Sequence, residues 1–121
     1  MGILDRIKSL LGSKTEEEIR DFKELLKKKF SFEDFLYATT EGLPIMGTFP
    51  NYEELSAKVP EILKSISELE SSSFYSIITG EYVYTLVQVS SEVLMLAKGL
   101  EILGEEDVQE LIERSRKELG I

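Results

Sequence analysis

Residues 51–70 read N-Y-E-E-L-S-A-K-V-P-E-I-L-K-S-I-S-E-L-E, and the rest of the chain is organised around this stretch. Its apolar side chains recur at intervals of four and three residues, which is typical of one face of a long amphipathic helix. Asn51 and Glu54 have the spacing of a capping box at the helix start. Pro60 predicts a kink near the middle, because proline removes one backbone hydrogen bond. The apolar face comprises Leu55, Val59, Ile62, Ile66 and Leu69.

A strip of mostly short, uncharged side chains runs between the apolar and the charged face of this predicted helix. Short side chains let another backbone approach closely, so one interpretation of the strip is a contact with a partner helix. The other interpretation is a solvated shoulder, which the helix pattern alone slightly favours. The strip consists of Ser56, Pro60, Leu63 and Ser67.

The composition excludes several kinds of chemistry. The 121 residues are enough for one domain, and they include no histidine and no cysteine. The commonest general base, the thiol nucleophile and the usual transition-metal ligands are therefore missing. No P-loop or metal-ligand spacing is present, so we expect no enzyme, no cofactor and no metal. The absence of a secretory signal or long apolar run, with plentiful Glu and Lys, predicts a cytoplasmic, heat-adapted protein.

The net charge of −9 is unevenly distributed along the chain. Residues 1–30 carry eight basic and six acidic side chains, whereas residues 31–121 carry six basic and seventeen acidic ones. So acidic a surface repels nucleic acid, because nucleic-acid binding depends on neutralising phosphates. We therefore expect no nucleic-acid partner, and a basic patch on a protein partner would suit this surface better.

Residues 1–14 form a predicted amphipathic extension ahead of a domain at residues 15–121. The extension has apolar side chains at helical spacing, and Gly12 can end the helix. It is either a short helix packed on protein or an interfacial helix with Arg6, Lys8 and Lys14 near lipid headgroups. A helix this short binds lipid weakly by itself, so we expect membrane contact to be weak or absent. Its apolar stripe comprises Ile3, Leu4, Ile7, Leu10 and Leu11.

The remaining segments predict two more helices and five strands. Pro44 cannot donate a backbone hydrogen bond, so its strand should lie at a sheet edge. Strands that are apolar on both sides predict a sheet with helices on both faces. The predicted elements are a helix at Thr15–Lys29, strands at Phe35–Thr40, Leu43–Phe49, Phe74–Thr79, Tyr82–Val89 and Val93–Ala97, and a helix at Glu105–Leu119.

In this order of elements the sequence resembles the roadblock (dynein light-chain) domain family, of the prokaryotic type, over about residues 15–119. Residues 38–47, A-T-T-E-G-L-P-I-M-G, match the family's strand, acidic-glycine turn and second strand. The resemblance continues through the long helix, where Pro60 departs from the family pattern, and through Y-V-Y-T-L-V-Q-V-S-S-E-V-L-M-L-A at residues 82–97. It implies an α+β three-layer sandwich with a five-stranded antiparallel sheet of order 2-1-5-4-3. The long helix lies on one face and two helices lie on the other.

The resemblance also implies a homodimer formed through the long helix and the third strand. It implies a non-enzymatic platform that binds and regulates a small Ras-like GTPase. The alternatives are a structural adaptor or light-chain-type scaffold subunit, including one held at a membrane, and a small-ligand sensor. All four arginines lie outside the long helix and the third strand, so we expect no arginine to be inserted into a GTPase site. The implied interface residues are Ser56, Pro60, Leu63, Ser67, Phe74, Ser76 and Ile78.

Overall fold

The computed structural model describes residues 15–121, so the predictions for residues 1–14 lie outside the described residues. The order and type of the elements agree with the sequence prediction. Several bounds differ by a few residues: the first strand begins three residues earlier than predicted, the second strand is three residues shorter, and the long helix is four residues shorter. The elements are α1 (Glu16–Phe30), β1 (Phe32–Thr39), β2 (Pro44–Gly47), α2 (Tyr52–Ser67), β3 (Phe74–Thr79), β4 (Tyr82–Gln88), β5 (Val93–Gly99) and α3 (Glu105–Leu119).

The five strands form one antiparallel sheet in the order β2-β1-β5-β4-β3, as predicted. Pro44 lies in β2 at one edge, where its missing N–H costs no ladder hydrogen bond. Gly42 lies in the β1–β2 turn and Gly80 in the β3–β4 turn, with φ of +88° and +63°, a backbone conformation that glycine adopts without a Cβ clash. β3 forms the opposite edge and pairs only with β4 among the described strands.

We call the sheet face beneath α1 and α3 the closed face, because its side chains are almost fully buried. Each helix has acidic side chains in its first turn and basic ones in its last, which complements the helix dipole. The hydroxyl of Thr15 also accepts a 3.1 Å hydrogen bond from the Glu18 N–H, capping α1. The core of the closed face is rich in aromatic and aliphatic side chains, among them Phe22, Leu26, Phe30, Phe32, Phe35, Tyr37, Met95 and Leu111.

We call the other face, which carries α2 alone, the open face. α2 packs mainly on β1 and β2, with fewer contacts to β5. Val59 is fully buried at the centre of this contact, together with sheet residues such as Leu36, Leu86 and Leu94. Leu55, Ile62 and Ile66 pack against the same cluster but stay partly exposed. The prediction that both faces of the sheet carry helices is therefore confirmed, although the two faces are covered to different extents.

Two details of the predicted α2 are wrong. Asn51 makes no side-chain capping hydrogen bond, since its backbone (φ −112°, ψ 32°) is not in the extended conformation from which an N-cap side chain reaches back. α2 ends at Ser67 rather than at Glu70, and the Leu69 and Glu70 N–H groups both bond to the Ile66 carbonyl. Leu69 therefore lies beyond the helix and is 89% exposed instead of facing the core.

Candidate protein-interaction surface

A groove of about 400 Å³ runs along the open face between α2 and the β3–β4 hairpin. It exists because α2 lies over β1 and β2, at the far side of the sheet from β3. The groove is mainly apolar, and its lining side chains include Phe49, Leu55, Ile62, Ile77, Tyr84 and Leu96. A concave apolar surface of this kind is suited to receive side chains of a partner.

The β3 strand bounds this surface with an open main-chain edge. The Gln88 N–H bonds to the Ser73 carbonyl at 2.9 Å, which makes this a hydrogen-bonded pair. Because such pairs alternate along an antiparallel ladder, Tyr75, Ile77 and Thr79 also bond to β4. The main-chain groups of Phe74, Ser76 and Ile78 therefore point away from β4, toward the open edge.

Tyr75 ties the loop between α2 and β3 to the open face. Its hydroxyl donates to the Glu70 carbonyl and accepts a 2.9 Å hydrogen bond from the Ser72 N–H. The Tyr75 ring packs with the buried cluster under α2. The end of α2 and the start of β3 are thus held together on one surface.

The predicted small-residue strip of α2 divides into two parts in the structure. Pro60, Leu63 and Ser67 are partly exposed, and Leu63 also packs against the buried cluster under α2. Ser56, by contrast, is fully buried, and its hydroxyl donates a 2.6 Å hydrogen bond to the Tyr52 carbonyl. Ser56 is therefore not accessible to a partner, and the prediction that it belongs to the interface is wrong.

The backbone that approaches α2 near Ser56 is that of the chain's own β1–β2 hairpin. A Cβ added at Gly42 would stand 3.1 Å from the Ala57 Cα, and one added at Gly47 would stand 2.8 Å from the Tyr52 Cβ. Gly42 and Gly47 therefore let the hairpin backbone pack closely against this end of α2 within the chain.

The predicted β3 residues do not share a face with Leu63. Phe74, Ser76 and Ile78 pair with Val87, Thr85 and Val83, and Phe74 packs against the core of the closed face. Their side chains therefore lie on the α1 and α3 side, and only their main-chain groups belong to the open edge. The β3 side chains that face α2 are Tyr75, Ile77 and Thr79, which the sequence reasoning missed. The alternation of side chains along a strand could have separated the two sets.

The described residues hold few groups suited to catalysis. No group of three or more acidic side chains in the described part of the chain could hold a metal ion. The buried Tyr37 hydroxyl shares a 2.7 Å hydrogen bond with the Ser115 hydroxyl, and burial raises the pKa of Tyr37 far above its usual range. This pair lies inside the core of the closed face and is not open to a substrate.

The described arginines all belong to the closed-face helices. Arg20 lies on α1, while Arg114 and Arg116 lie on α3. Arg116 Nε donates a 2.8 Å hydrogen bond to the Val89 carbonyl, and Arg114 Nε contacts Glu110 Oε1 at 3.4 Å. Within residues 15–121, no arginine therefore lies on α2 or β3.

None of the helices at residues 15–121 has both the length and the apolar character that crossing a membrane requires.

Comparisons with known proteins point to one fold. MglB of Myxococcus xanthus superposes with a TM-score of 0.63 at 12% identity, covering 88% of this chain and 94% of that one. A Roadblock/LC7 domain from Streptomyces avermitilis superposes with a TM-score of 0.60 at 9% identity, covering 82% of this chain and 94% of that one. No family model matches the chain. The chain therefore has the roadblock-type α+β fold, as the sequence resemblance implied.

A sequence relative also exists among curated proteins. An uncharacterised protein of Archaeoglobus fulgidus is 29% identical over 99 residues, which cover 81% of this chain. The matched region is 58% of that protein's length, so the relative is considerably longer than the shared part.

Proposed function

We propose that this protein is a non-enzymatic, homodimeric platform that binds and regulates a small Ras-like GTPase. The observation that carries the proposal is the combination of an open β3 edge with a half-covered apolar groove on the same side of a roadblock-type fold. The structural likeness to MglB and to a Roadblock/LC7 domain supports it.

Homodimerisation is supported by the geometry of the open edge. An unpaired strand edge is a template for pairing with another chain, and a two-fold axis lets the same strand of each protomer pair with its copy. Antiparallel pairing of two β3 strands would satisfy the outward main-chain groups of Ser76 and Ile78, whereas the Phe74 N–H already donates to the Ser72 hydroxyl. The same axis brings the exposed sides of the two α2 helices, with Pro60, Leu63 and Ser67, toward each other.

The GTPase partner is inferred from the roadblock resemblance, and the chemistry of the surface indicates how regulation would work. Since the described α2 and β3 residues include no arginine, the platform would not insert one into the nucleotide site. It would act by holding the catalytic residues of the GTPase in position. Such positioning can by itself raise the rate of nucleotide hydrolysis or nucleotide exchange.

The dimer is tested with the substitution Ser76→Pro. Proline at this position removes an outward N–H without breaking a hydrogen bond between β3 and β4. We expect light scattering to give a dimer for the unmodified chain and a folded monomer for Ser76→Pro. The matched control, Ser76→Thr, keeps the N–H and should remain a dimer. A monomeric unmodified chain, or a dimer that survives Ser76→Pro, would contradict the proposal.

The GTPase partner is tested by calorimetry with a Ras-like GTPase from the same genome, loaded with GDP or with a GTP analogue. We expect affinities for the two forms to differ at least tenfold. Charge reversal on α2 and at the residue that caps its end, Glu61→Lys with Glu68→Lys, should weaken binding at least tenfold. The same change on exposed α3 positions, Glu106→Lys with Glu113→Lys, controls for net charge and should have little effect.

Two results would count against the GTPase proposal. Equal affinity for both nucleotide states, or equal effects of the α2 and α3 reversals, would favour the adaptor alternative. Reproducible nucleotide hydrolysis by the pure protein alone would contradict the non-enzymatic part.

A further inference from the structure

Leu69 is the most exposed large apolar side chain in residues 15–121, at 89%, and it lies in the loop between α2 and β3. Backbone hydrogen bonds hold this loop in place. The Leu69 and Glu70 N–H groups bond to the Ile66 carbonyl, and the Glu70 carbonyl accepts a hydrogen bond from the Tyr75 hydroxyl. A single exposed leucine is common on protein surfaces, so the position of Leu69, and not its exposure alone, decides what it can contact.

Helical spacing places Leu69 on the flank of α2 that faces the groove. Seven residues make nearly two helical turns, so residues at this interval share one side of a helix. Leu55 and Ile62 line the groove, and Leu69 follows them at the same interval. The backbone of Glu68 is still helical (φ −68°, ψ −27°), so the turn continues to Leu69. The Leu69 side chain therefore projects on the β3 side of α2.

The proposed dimer, on which this inference rests, brings Leu69 of one copy to the groove of the other. Antiparallel pairing of the two β3 strands about Ser76 sets Tyr75 of one copy beside Ile77 of the other. Ile77 and Thr79, near the end of β3, line the groove. Tyr75, near the start of β3, holds the Leu69 loop on the open face. Because neighbouring strands are about 4.8 Å apart, the loop of one copy reaches the mouth of the other copy's groove.

We propose that the Leu69 side chain of each copy fills the groove of the other copy. None of the described side chains that line the groove is charged, and most are aliphatic or aromatic. A volume of about 400 Å³ accepts a leucine side chain together with part of its loop. The residues around the groove carry both signs of charge, so the apolar lining selects the occupant. These charged residues are Lys58, Lys98, Glu54 and Glu81.

The first test measures the strength of the dimer by sedimentation equilibrium of the full chain. Leu69→Ala should raise the dissociation constant at least tenfold, because each dimer loses two copies of the contact. The matched control is Leu43→Ala, which also truncates an exposed leucine (46%) but lies in the β1–β2 turn, at the far edge of the sheet from β3. The control should change the dissociation constant less than twofold. Circular dichroism checks that both variants are folded, which the exposure of the two sites favours.

The second test locates the contact by disulfide formation, since the chain contains no cysteine. A Leu69→Cys chain is mixed with a Thr79→Cys chain, both changed at exposed sites, and the mixed dimers are oxidised mildly. They should form a covalent dimer at least ten times faster than a mixture of Leu69→Cys and Leu43→Cys. Leu69→Cys by itself should link slowly, because the two grooves lie on opposite sides of the two-fold axis. Adding Ser76→Pro to both chains should abolish the rapid link.

Three outcomes would overturn this inference and leave the proposed dimer intact. The first is a dimer whose dissociation constant Leu69→Ala does not change. The second is rapid linking of Leu69→Cys with itself, which would place the two Leu69 side chains against each other at the axis. The third is a Leu69→Ala variant that dimerises normally but binds the GTPase more weakly, which would make the GTPase the occupant. A monomeric unmodified chain, by contrast, would overturn the dimer of the proposed function and this inference with it.

Discussion

The closed and open faces of the sheet bury similar side chains to different extents. On the closed face, the aromatic residues Phe32, Phe35 and Tyr37 are at most 1% exposed beneath α1 and α3. On the open face, the comparable residues Tyr75 and Tyr84 are only half buried, because the single helix α2 lies over β1 and β2.

This difference separates the parts of the molecule that stabilise the fold from those that can bind. A side chain that is already fully buried has no further apolar area to contribute when a partner arrives. A half-buried side chain does, at roughly 25 cal/mol per Å² removed from water. The closed face is therefore expected to govern folding stability, and the open face is expected to govern association.

The largest effect should come from a cavity in the closed face. Leu111→Ala removes a fully buried side chain of α3 and should lower the free energy of unfolding by about 2–5 kcal/mol. Ile62→Ala on the open face should cost less than half as much in the Ser76→Pro monomer, because Ile62 is partly exposed there. Urea unfolding followed by circular dichroism measures both. Equal losses would contradict the proposed division between the two faces.

An intermediate effect should come from the buried hydroxyl pair on the closed face. Tyr37→Phe leaves the Ser115 hydroxyl with only its 3.8 Å contact to the Met95 sulfur, at a cost of about 1–2 kcal/mol. Burial raises the pKa of Tyr37 above its unfolded value near 10, so its contribution is present below that pH and is lost as the pH rises further. Above pH 10, the free energy of unfolding of Tyr37→Phe should therefore decline less than that of the unmodified chain. An equal decline in both proteins would contradict this explanation.

The smallest effect should come from the exposed ion pairs of Glu110, one of which joins α3 to α1. Hydrogen bonding from Lys29, and then from Arg114, lowers the pKa of Glu110 below its usual range. Its contribution is therefore present above the unfolded carboxyl pKa and is lost as the pH falls through the lower folded value. Glu110→Gln should change stability less than Tyr37→Phe at pH 7, and the difference from the unmodified chain should shrink steadily in thermal scans as the pH falls below the usual range of a glutamate carboxyl. A difference that does not shrink as the pH falls would show a cause other than charge.

The sequence by itself determined the element order, the strand at the edge and the two glycine hairpins, and its resemblance to the roadblock family implied the sheet order. The first three features follow from local signals: helical spacing in α1 and α3, the missing N–H of Pro44 and the tolerance of glycine for positive φ. Each signal acts over a few residues, so it can be read without knowing what packs against it.

The tertiary structure decided whether the residues at the margins of each apolar face are buried or exposed. Helical spacing gives the relative angles of Ser56, Leu63 and Leu69, but the rotation of α2 on the sheet is set by its close contacts with Gly42 and Gly47. That rotation buries Ser56. The early end of α2 leaves Leu69 in solvent. Likewise, β3 is apolar on both sides, so its pattern could not reveal that Tyr75 and Ile77, rather than Phe74 and Ile78, face α2. Such choices depend on contacts between segments distant in sequence, and those contacts exist only once the chain has folded.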